Sequence, residues 1–303
     1  MMQMLAHRRD SCTVRLLVYI RNRFHPLFYL RKFWLFQRAI RLFDIPFPLH
    51  HKSISHPVYV SLSKNLGSVL TKGVAGEERE RENFTWIVKA GQFQSFFDIG
   101  ANVGLYGFLF GSIVGDYSSV TFIEPDNSNA RLIRKTIDAA KLPSTLVQGA
   151  VSDHSGSAIF HQDNVTGATG SLVHGHETSF ITAHHRTAPV PVSVDVITLD
   201  ELCRVESPDF VKIDVEGAEL SVLNGARRTL SQARPALMFE CDQNRDSVRD
   251  LLLQLGYRLF DMELLERVDS ITHNCLALHV EKHASLIDKI ENVTPAPLQR
   301  SRS

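Results

Sequence analysis

The chain has 303 residues, of which 44% are hydrophobic and 22% are charged, and this composition is typical of a globular protein with a full core. It excludes a disordered chain and a collagen-like repeat. Basic and acidic side chains are equal in number, 33 of each, so no overall positive charge points to a nucleic-acid partner.

Residues 1–50 differ from the rest of the chain in charge. They carry nine basic and two acidic side chains, interleaved with aromatic and aliphatic residues. This pattern predicts a basic, aromatic-rich helical extension that packs on the next domain, makes peripheral membrane contact through residues 8–45, or serves as a transit peptide. No apolar run in it reaches the ~20 residues of a spanning helix. The expected location is cytoplasmic, with peripheral membrane association as the alternative.

An alternation of strands and helices follows. Residues 51–92 are predicted to form a linker and the first helix of a domain that covers residues 93–283. Within this domain, segments of helical periodicity separate apolar runs of strand length, which are FQSFFDI, SVTFIE, STLVQGAV, DFVKIDV, PALMFEC, YRLFDM and CLALHV. Parallel strands need crossovers, which are usually helices, so the pattern predicts an α/β fold with helices on both faces of a mostly parallel sheet. The last two runs predict an antiparallel hairpin at one edge.

Two segments depart from this alternation. Residues 153–198 lose the helical pattern and contain short alternating runs, which predict a β-containing insertion near the ligand-binding face. Residues 284–303 are predicted to be a disordered tail.

A glycine-containing turn, GANVG, follows the strand that carries Asp98. Gly100 and Gly104 allow a ligand and the next helix to approach the backbone closely. Glu124 ends the next strand, where an acidic side chain can accept the two hydrogen bonds of a ribose diol. Asn102 stands where a dinucleotide site requires its second glycine, which disfavours a nicotinamide-dependent oxidoreductase.

A pair of carboxylates follows the strand FVKI. Asp214 and Glu216 are separated by one residue, so in an extended chain they point the same way. Such a pair can orient an acceptor hydroxyl, take its proton, or hold a divalent metal that lowers the hydroxyl's pKa. Alternatively, Glu216 caps a helix that starts at Gly217, and Asp214 only contacts a cofactor. Glu240 and Asp242, at the end of the next strand, are further candidate proton acceptors, as are histidines of the insertion.

Five segments, in this order and spacing, resemble the FkbM family of S-adenosylmethionine-dependent methyltransferases: DIGANVGLY, IEPDNSN, GAVSDHSG, VITLDEL and VKIDVEGAELSVLNGA. The resemblance covers about residues 93–280. It implies a Rossmann-like class I methyltransferase fold with a seven-stranded sheet. It also implies an S-adenosylmethionine-dependent O-methyltransferase that acts on a hydroxyl of a sugar, glycolipid or small metabolite.

The resemblance further implies the residues of a cofactor site. They are Asp98, Gly100, Asn102 and Gly104 on the methionine side, Glu124 at the ribose, Ala150, Val151, Ser152 and Asp153 along the adenine, and Asp214 beside the reacting methyl. The candidate catalytic residues are Asp214, Glu216 and Glu240. A divalent metal is compatible with these residues, but no metal site is predicted. The expected partner is a small-molecule or glycan acceptor and not a nucleic acid, and the alternative function is a non-catalytic binding protein that keeps the cofactor fold.

Overall fold

The structure is a computed structural model that describes residues 45–61, 64, 78–163, 167–173 and 188–292. Of the predicted N-terminal extension, only residues 45–50 are described. The residues predicted to contact a membrane, 8–45, lie outside the described residues except for residue 45. None of the helices in the described ranges combines the length and the apolar character of a membrane span.

The described strands and helices follow the predicted alternation. In chain order the strands are β1 (Pro46–Leu49), β2 (Val58–Ser61), β3 (Phe96–Ile99), β4 (Val120–Ile123), β5 (Thr145–Val147), β6 (Ala150–Val151), β7 (Gly156–Gln162), β8 (Val190–Ile197), β9 (Phe210–Ile213), β10 (Ala236–Glu240), β11 (Tyr257–Asp261) and β12 (Asn274–His279). The helices are α1 (Glu78–Gly91), α2 (Leu105–Val114), α3 (Asn127–Ala140), α4 (Leu199–Leu202), α5 (Glu219–Asn224), α6 (Arg227–Gln232), α7 (Arg245–Gln254) and α8 (Ala284–Asn292).

Seven strands form the main sheet, in the order β11-β12-β10-β9-β3-β4-β5. The five strands from β10 to β5 run parallel, whereas β12 is antiparallel to both β10 and β11. The predicted mostly parallel sheet with an antiparallel hairpin at one edge is thus confirmed. Chain order reverses between β3 and β9, which lie side by side at the centre.

Helices cover both faces of this sheet. Alternate residues of each buried strand point to opposite faces, so both faces are apolar and both must be covered. In β3, Phe96 packs into one apolar cluster, together with side chains of α1, α2 and α8. Phe97 and Ile99 pack into a second cluster, together with side chains of α5, α6 and α7. The core therefore has two layers, and the ends of the strands remain available for a site.

The insertion contains a small three-stranded sheet in the order β6-β8-β7. β7 and β8 pair in antiparallel fashion along their length, from Gly156 opposite Val196 to Gln162 opposite Val190. Because β6 directly follows β5 and pairs with the end of β8, the hairpin is held beside the carboxyl edge of the main sheet.

The predicted disorder of residues 284–303 is wrong for residues 284–292, which form α8. Leu286, Ile287 and Ile290 lie on one side of this helix and are only 3–4% exposed. They pack into the same apolar cluster as Phe84 of α1. Apolar side chains at this helical spacing bury enough surface to order the segment.

Candidate functional site

A pocket opens at the carboxyl ends of the parallel strands, around the point where chain order reverses between β3 and β9. Open α/β sheets bind ligands at such a switch point. Turns that follow β3, β4 and β9 line it, and the insertion contributes Phe160, Gly167, Ala168, Gly170 and Leu172. The predicted site residues that line it are Gly100, Asn102, Glu124, Ala150, Val151, Asp214 and Glu216.

The turn after β3 owes its shape to Asp98 and Gly100. Asp98 is 1% exposed, and its Oδ2 accepts a hydrogen bond of 2.9 Å from the Gly107 backbone N–H in the first turn of α2. Gly100 has a φ of +73°, and a Cβ at this position would lie 1.8 Å from the carbonyl oxygen of Asp214. The backbones after β3 and β9 can therefore come together only because residue 100 is a glycine.

Two residues of the predicted methionine side, Asp98 and Gly104, do not reach the pocket. Gly104, with a φ of +81°, is the N-cap of α2. A Cβ there would lie 2.8 Å from the ring of Phe108 and 2.9 Å from the ring of Phe122. Gly104 thus lets α2 pack closely on β4, and Asp98 orients the first turn of α2, so both shape the pocket from below.

Glu124 forms a buried acceptor in the pocket. Its Oε2 accepts a hydrogen bond of 2.7 Å from the Asn102 N–H, and its Oε1 accepts one of 2.8 Å from the Asp126 N–H. Burial, together with the nearby Asp126 carboxylate, raises the pKa of Glu124 to about 8, although the hydrogen-bond donors act in the opposite direction. Both oxygens are thereby fixed at the edge of the sheet, as a ribose-binding carboxylate requires.

Lys212 and Asp214 form an ion pair at the end of β9. The Lys212 Nζ lies 2.8 Å from Asp214 Oδ2, and the lysine side chain is only 8% exposed. Burial disfavours the charged lysine, but attraction by Asp214 and Asp98 outweighs it, and the pKa of Lys212 stays above its usual value. Burial raises the pKa of Asp98 to about 6 against the opposing attraction of Lys212. Asp214 is therefore held in place by a cation beneath the pocket.

Glu216 lines the pocket, although not for the predicted reason. β9 ends at Ile213, and Glu216 has a φ of +54°. The alternation of an extended strand therefore does not extend to it. The alternative that Glu216 caps a helix from Gly217 is also wrong, because α5 begins at Glu219, whose Oε1 accepts a hydrogen bond of 3.0 Å from the Gly217 N–H.

The insertion closes one side of the pocket through two contacts. Asn129 of α3 donates a hydrogen bond of 2.8 Å from Nδ2 to the Gly167 carbonyl. The Ser171 hydroxyl donates one of 2.6 Å to the Glu216 carbonyl. Gly170 contacts the ring of Phe160, where an added Cβ would lie 2.4 Å away. The loop 167–172 is thus fixed over the turns that carry the acidic residues.

Three further predicted site residues, besides Asp98 and Gly104, lie outside the pocket. Ser152 and Asp153 follow β6, and Asp153 is half-exposed with its Oδ1 2.7 Å from His154 Nδ1. Glu240 ends β10 and lies beside His273, with 3.3 Å between Glu240 Oε1 and His273 Nε2. The strand order explains this separation, because β10 is one strand further from β3 than β9 is.

Sequence reasoning missed several residues that shape the pocket. Lys212 could have been found, since it stands two residues before Asp214 in the same strand and therefore on the same face. Asp126 is the N-cap of α3, where its side chain accepts hydrogen bonds from the backbone N–H groups of Ser128 and Asn129, and it also lines the pocket. Phe160 and the loop 167–172 carried no sequence signal of their own.

The charge of the pocket is one-sided. Four of its lining residues carry carboxylates, and none of the lining residues that the structure describes is a lysine or an arginine. The acidic four are Glu124, Asp126, Asp214 and Glu216.

A seven-stranded sheet of this order, with the antiparallel strand β12 between β10 and β11 and a pocket at the β3–β9 switch point, defines a Rossmann-like class I methyltransferase fold. The family model described as "Methyltransferase FkbM domain" matches residues 98–259. The chain belongs to this family, as its sequence motifs predicted, and membership supports a methyltransferase activity.

Solved structures similar to this chain share low sequence identity with it. The methyltransferase FkbM from Methylobacillus flagellatus KT is 18% identical over 61% of this chain and 43% of that chain, with a TM-score of 0.43. A putative caffeoyl-CoA O-methyltransferase from Staphylococcus aureus is 12% identical over 66% of this chain and 82% of that chain, with a TM-score of 0.38. The N-terminal domain of human METTL16 in complex with SAH is 13% identical over 65% and 68%, with a TM-score of 0.37. The chain thus spans less than half the length of the Methylobacillus protein, and a comparison with curated proteins found no significant match.

Proposed function

We propose that this protein is an S-adenosylmethionine-dependent methyltransferase that transfers the methyl group to a hydroxyl oxygen of a sugar, glycolipid or small metabolite. The charge of the pocket carries this proposal. Four carboxylates and no basic residue among the described lining residues suit a ligand with a sulfonium cation and an ammonium group. A dinucleotide pyrophosphate is anionic and would be repelled by the same residues.

The residues present fit this cofactor. Each oxygen of Glu124 accepts one backbone N–H, and the Asn129 side chain donates a third hydrogen bond to the carboxylate. Because a carboxylate has about four acceptor sites, Glu124 can accept one ribose hydroxyl while it keeps these bonds, and a second where the ribose replaces Asn129. Ala150 and Val151 supply an apolar wall on the same side of the pocket, which suits a flat adenine ring.

The bound cofactor supplies a methyl group that is already activated by the positive sulfur. The chain must position the acceptor and remove its proton. Asp214 is held by its ion pair with Lys212, so it is positioned to orient the acceptor hydroxyl by accepting a hydrogen bond. Glu216 takes the proton as the new carbon–oxygen bond forms. The loop 167–172 excludes water from this step.

Isothermal titration with S-adenosylmethionine, S-adenosylhomocysteine and NADH tests the cofactor. We expect micromolar binding of the first two, no binding of NADH, and loss of binding in Glu124→Ala. NADH binding, or no binding of either methionine derivative, would contradict the proposal. A labelled-methyl assay with sugars, glycolipids and hydroxylated metabolites then tests the acceptor class. Label transferred to a nitrogen or a carbon would contradict the O-methylation.

The roles of the two carboxylates are separable by kinetics. A catalytic base is worth about 10² to 10⁴ in rate, so Glu216→Gln should lower kcat by this factor with little change in KM. Asp214→Asn should raise KM for the acceptor as well, because it loses an orienting hydrogen bond. A normal kcat in Glu216→Gln would assign the proton transfer elsewhere.

Membrane contact through residues 8–45 stays a prediction, since these residues lie outside the described part of the chain except for residue 45. Flotation with anionic liposomes of the full chain and of a variant that lacks residues 1–45 tests it. Equal flotation of both proteins would contradict it.

A further inference from the structure

The peptide group between Glu216 and Gly217 is held at both of its polar atoms. The Ser171 hydroxyl donates a hydrogen bond of 2.6 Å to the Glu216 carbonyl oxygen. The Gly217 N–H of the same peptide group donates one of 3.0 Å to Glu219 Oε1. One residue of the insertion and one residue of α5 therefore fix the plane of this peptide group from opposite sides, and Glu216, which carries it, lines the pocket.

The backbone at this place needs such a restraint. Glu216 has a φ of +54° and Gly217 has a φ of +96°. A left-handed conformation is disfavoured for a residue with a Cβ, and it persists only where the surrounding structure holds it. Rotation of the peptide group would let the turn leave this conformation and move the Glu216 side chain. The two hydrogen bonds oppose that rotation.

Ser171 is itself held firmly in the insertion. It is fully buried, and two backbone hydrogen bonds join it to His161 of β7, at 2.8 Å and 3.2 Å. Its hydroxyl oxygen accepts a hydrogen bond of 2.9 Å from the Val173 N–H. A hydroxyl has one proton to donate, and that proton goes to the Glu216 carbonyl. The contact therefore joins the turn after β9 to an ordered strand of the insertion.

Glu219 is a buried carboxyl that the proposed reaction does not use. It begins α5, is 2% exposed and does not line the pocket. Its Oε2 is buried and has no hydrogen-bond partner in the described part of the chain. Burial raises the pKa of Glu219 to about 7, although backbone hydrogen bonds, that of Gly217 among them, act in the opposite direction. Burying a carboxyl costs free energy, and what this one supplies is an acceptor for the backbone of the turn.

We propose that Ser171 and Glu219 are positioning residues, which fix the peptide group between Glu216 and Gly217 and thereby hold the Glu216 carboxyl at the acceptor hydroxyl. This inference rests on the proposed methyltransferase function, in which Glu216 takes the proton. It gives the insertion a part in proton transfer, because Ser171 belongs to the insertion. It also makes the conformation of the turn, and not only the residue type at position 216, a requirement of the reaction.

Hydrogen exchange of the Gly217 amide, measured by NMR on the full-length protein, tests the restraint. Exchange should be at least tenfold faster in Glu219→Ala than in the wild type, and it should also be faster in Ser171→Ala. Glu219→Gln keeps an acceptor oxygen and should restore slow exchange. Ser157→Ala is the control, because Ser157 is an exposed serine of the same insertion. Equal exchange in the wild type and Glu219→Ala would overturn the proposal.

A double-mutant cycle on kcat tests the link to Glu216, with the acceptor that the labelled-methyl assay selects. Ser171→Ala and Glu219→Ala should each lower kcat at least tenfold, and Glu219→Gln should restore it. In a Glu216→Gln background the same substitutions should have no further effect, because a positioning residue acts only through the side chain that it positions. A further loss of the same size in that background would overturn the proposal, since it would mean that these residues do not act through Glu216.

Titration with S-adenosylmethionine separates this inference from the proposed function. Ser171 and Glu219 do not line the pocket, so both alanine variants should bind the cofactor within about threefold of the wild type. Thermal unfolding shows whether they are folded at the assay temperature. If the wild type methylates an acceptor and folded Glu219→Ala has the same kcat, the positioning role is wrong and the methyltransferase proposal survives. If Gly217 exchange responds as expected but the wild type binds no cofactor, the proposed function fails, and the positioning role in methyl transfer fails with it.

Discussion

Glu124→Gln replaces the carboxyl group of Glu124 by a neutral amide and keeps the size of the side chain. In the wild type, each carboxylate oxygen accepts one backbone N–H, from Asn102 at 2.7 Å and from Asp126 at 2.8 Å. Glutamine has one acceptor oxygen and one NH₂ group, so its NH₂ must face one of these N–H donors. The variant also loses one of the two acceptors for the ribose diol. A hydrogen bond to a charged group contributes about 1.5–3 kcal/mol. Each 1.4 kcal/mol changes a dissociation constant about tenfold, so S-adenosylmethionine should bind roughly 10- to 150-fold more weakly.

Isothermal titration measures this loss directly. Thermal unfolding followed by circular dichroism shows that the variant is folded at the titration temperature. Glu263→Gln is the matched control, since Glu263 is exposed and lies outside the pocket, and it should bind as wild type does. A folded Glu124→Gln protein with unchanged affinity would refute the assignment of Glu124 to the ribose.

Three further predictions concern pH, the turn after β3 and the last helix. Because burial raises the pKa of Glu124 to about 8, its carboxyl group ionises as the pH rises through this value. The affinity for S-adenosylmethionine should therefore increase from pH 6 to 8.5 in the wild type and increase less in Glu124→Gln. Isothermal titration at several pH values checks this, and the same dependence of affinity on pH in both proteins would contradict it. Gly100→Ala places a Cβ 1.8 Å from the Asp214 carbonyl oxygen, at a residue whose φ is +73°. The variant should therefore have a lower Tm and bind no cofactor. A melting curve like that of the wild type would contradict the close approach of the turns after β3 and β9. Ile287→Ala should reduce the free energy of unfolding by about 2–5 kcal/mol. The control is Asp288→Ala at the exposed neighbouring residue, which should change the free energy of unfolding by less than about 0.5 kcal/mol. Denaturant unfolding measures both effects, and equal effects would mean that α8 does not pack on the core.

The arrangement of the pocket followed from local sequence patterns in several places. Gly100, Glu124 and Asp214 each end a parallel strand or begin the turn after it, and the carboxyl ends of parallel strands meet at one edge. Their approach in space was therefore predictable without any coordinates. The N-cap at Asp126 was equally predictable, because the side chain and the backbone groups it binds are neighbours in sequence.

Other features depended on contacts between distant parts of the chain. Glu216 takes a positive φ in the turn after β9, and its carbonyl binds Ser171 of the insertion, 45 residues away. A period of two residues cannot predict this, since it holds only within an extended strand. Asp98 was predicted as a ligand-facing residue, but it binds the N–H of Gly107 at the start of α2. Whether the Asp98 carboxylate faces a ligand or the Gly107 N–H is decided by the packing of α2 on the sheet.

The sequence by itself determined the alternation of strands and helices, the family and the strand ends that carry the site, because periodicity, capping and motif spacing are local properties of the chain. The tertiary structure decided which further segments are ordered and which side chains come together. It ordered residues 284–292 by burying Leu286, Ile287 and Ile290 in the core. It also moved Glu240 from the pocket into a cluster with His273, because pairing of β10 with β12 is a long-range contact that no local pattern specifies.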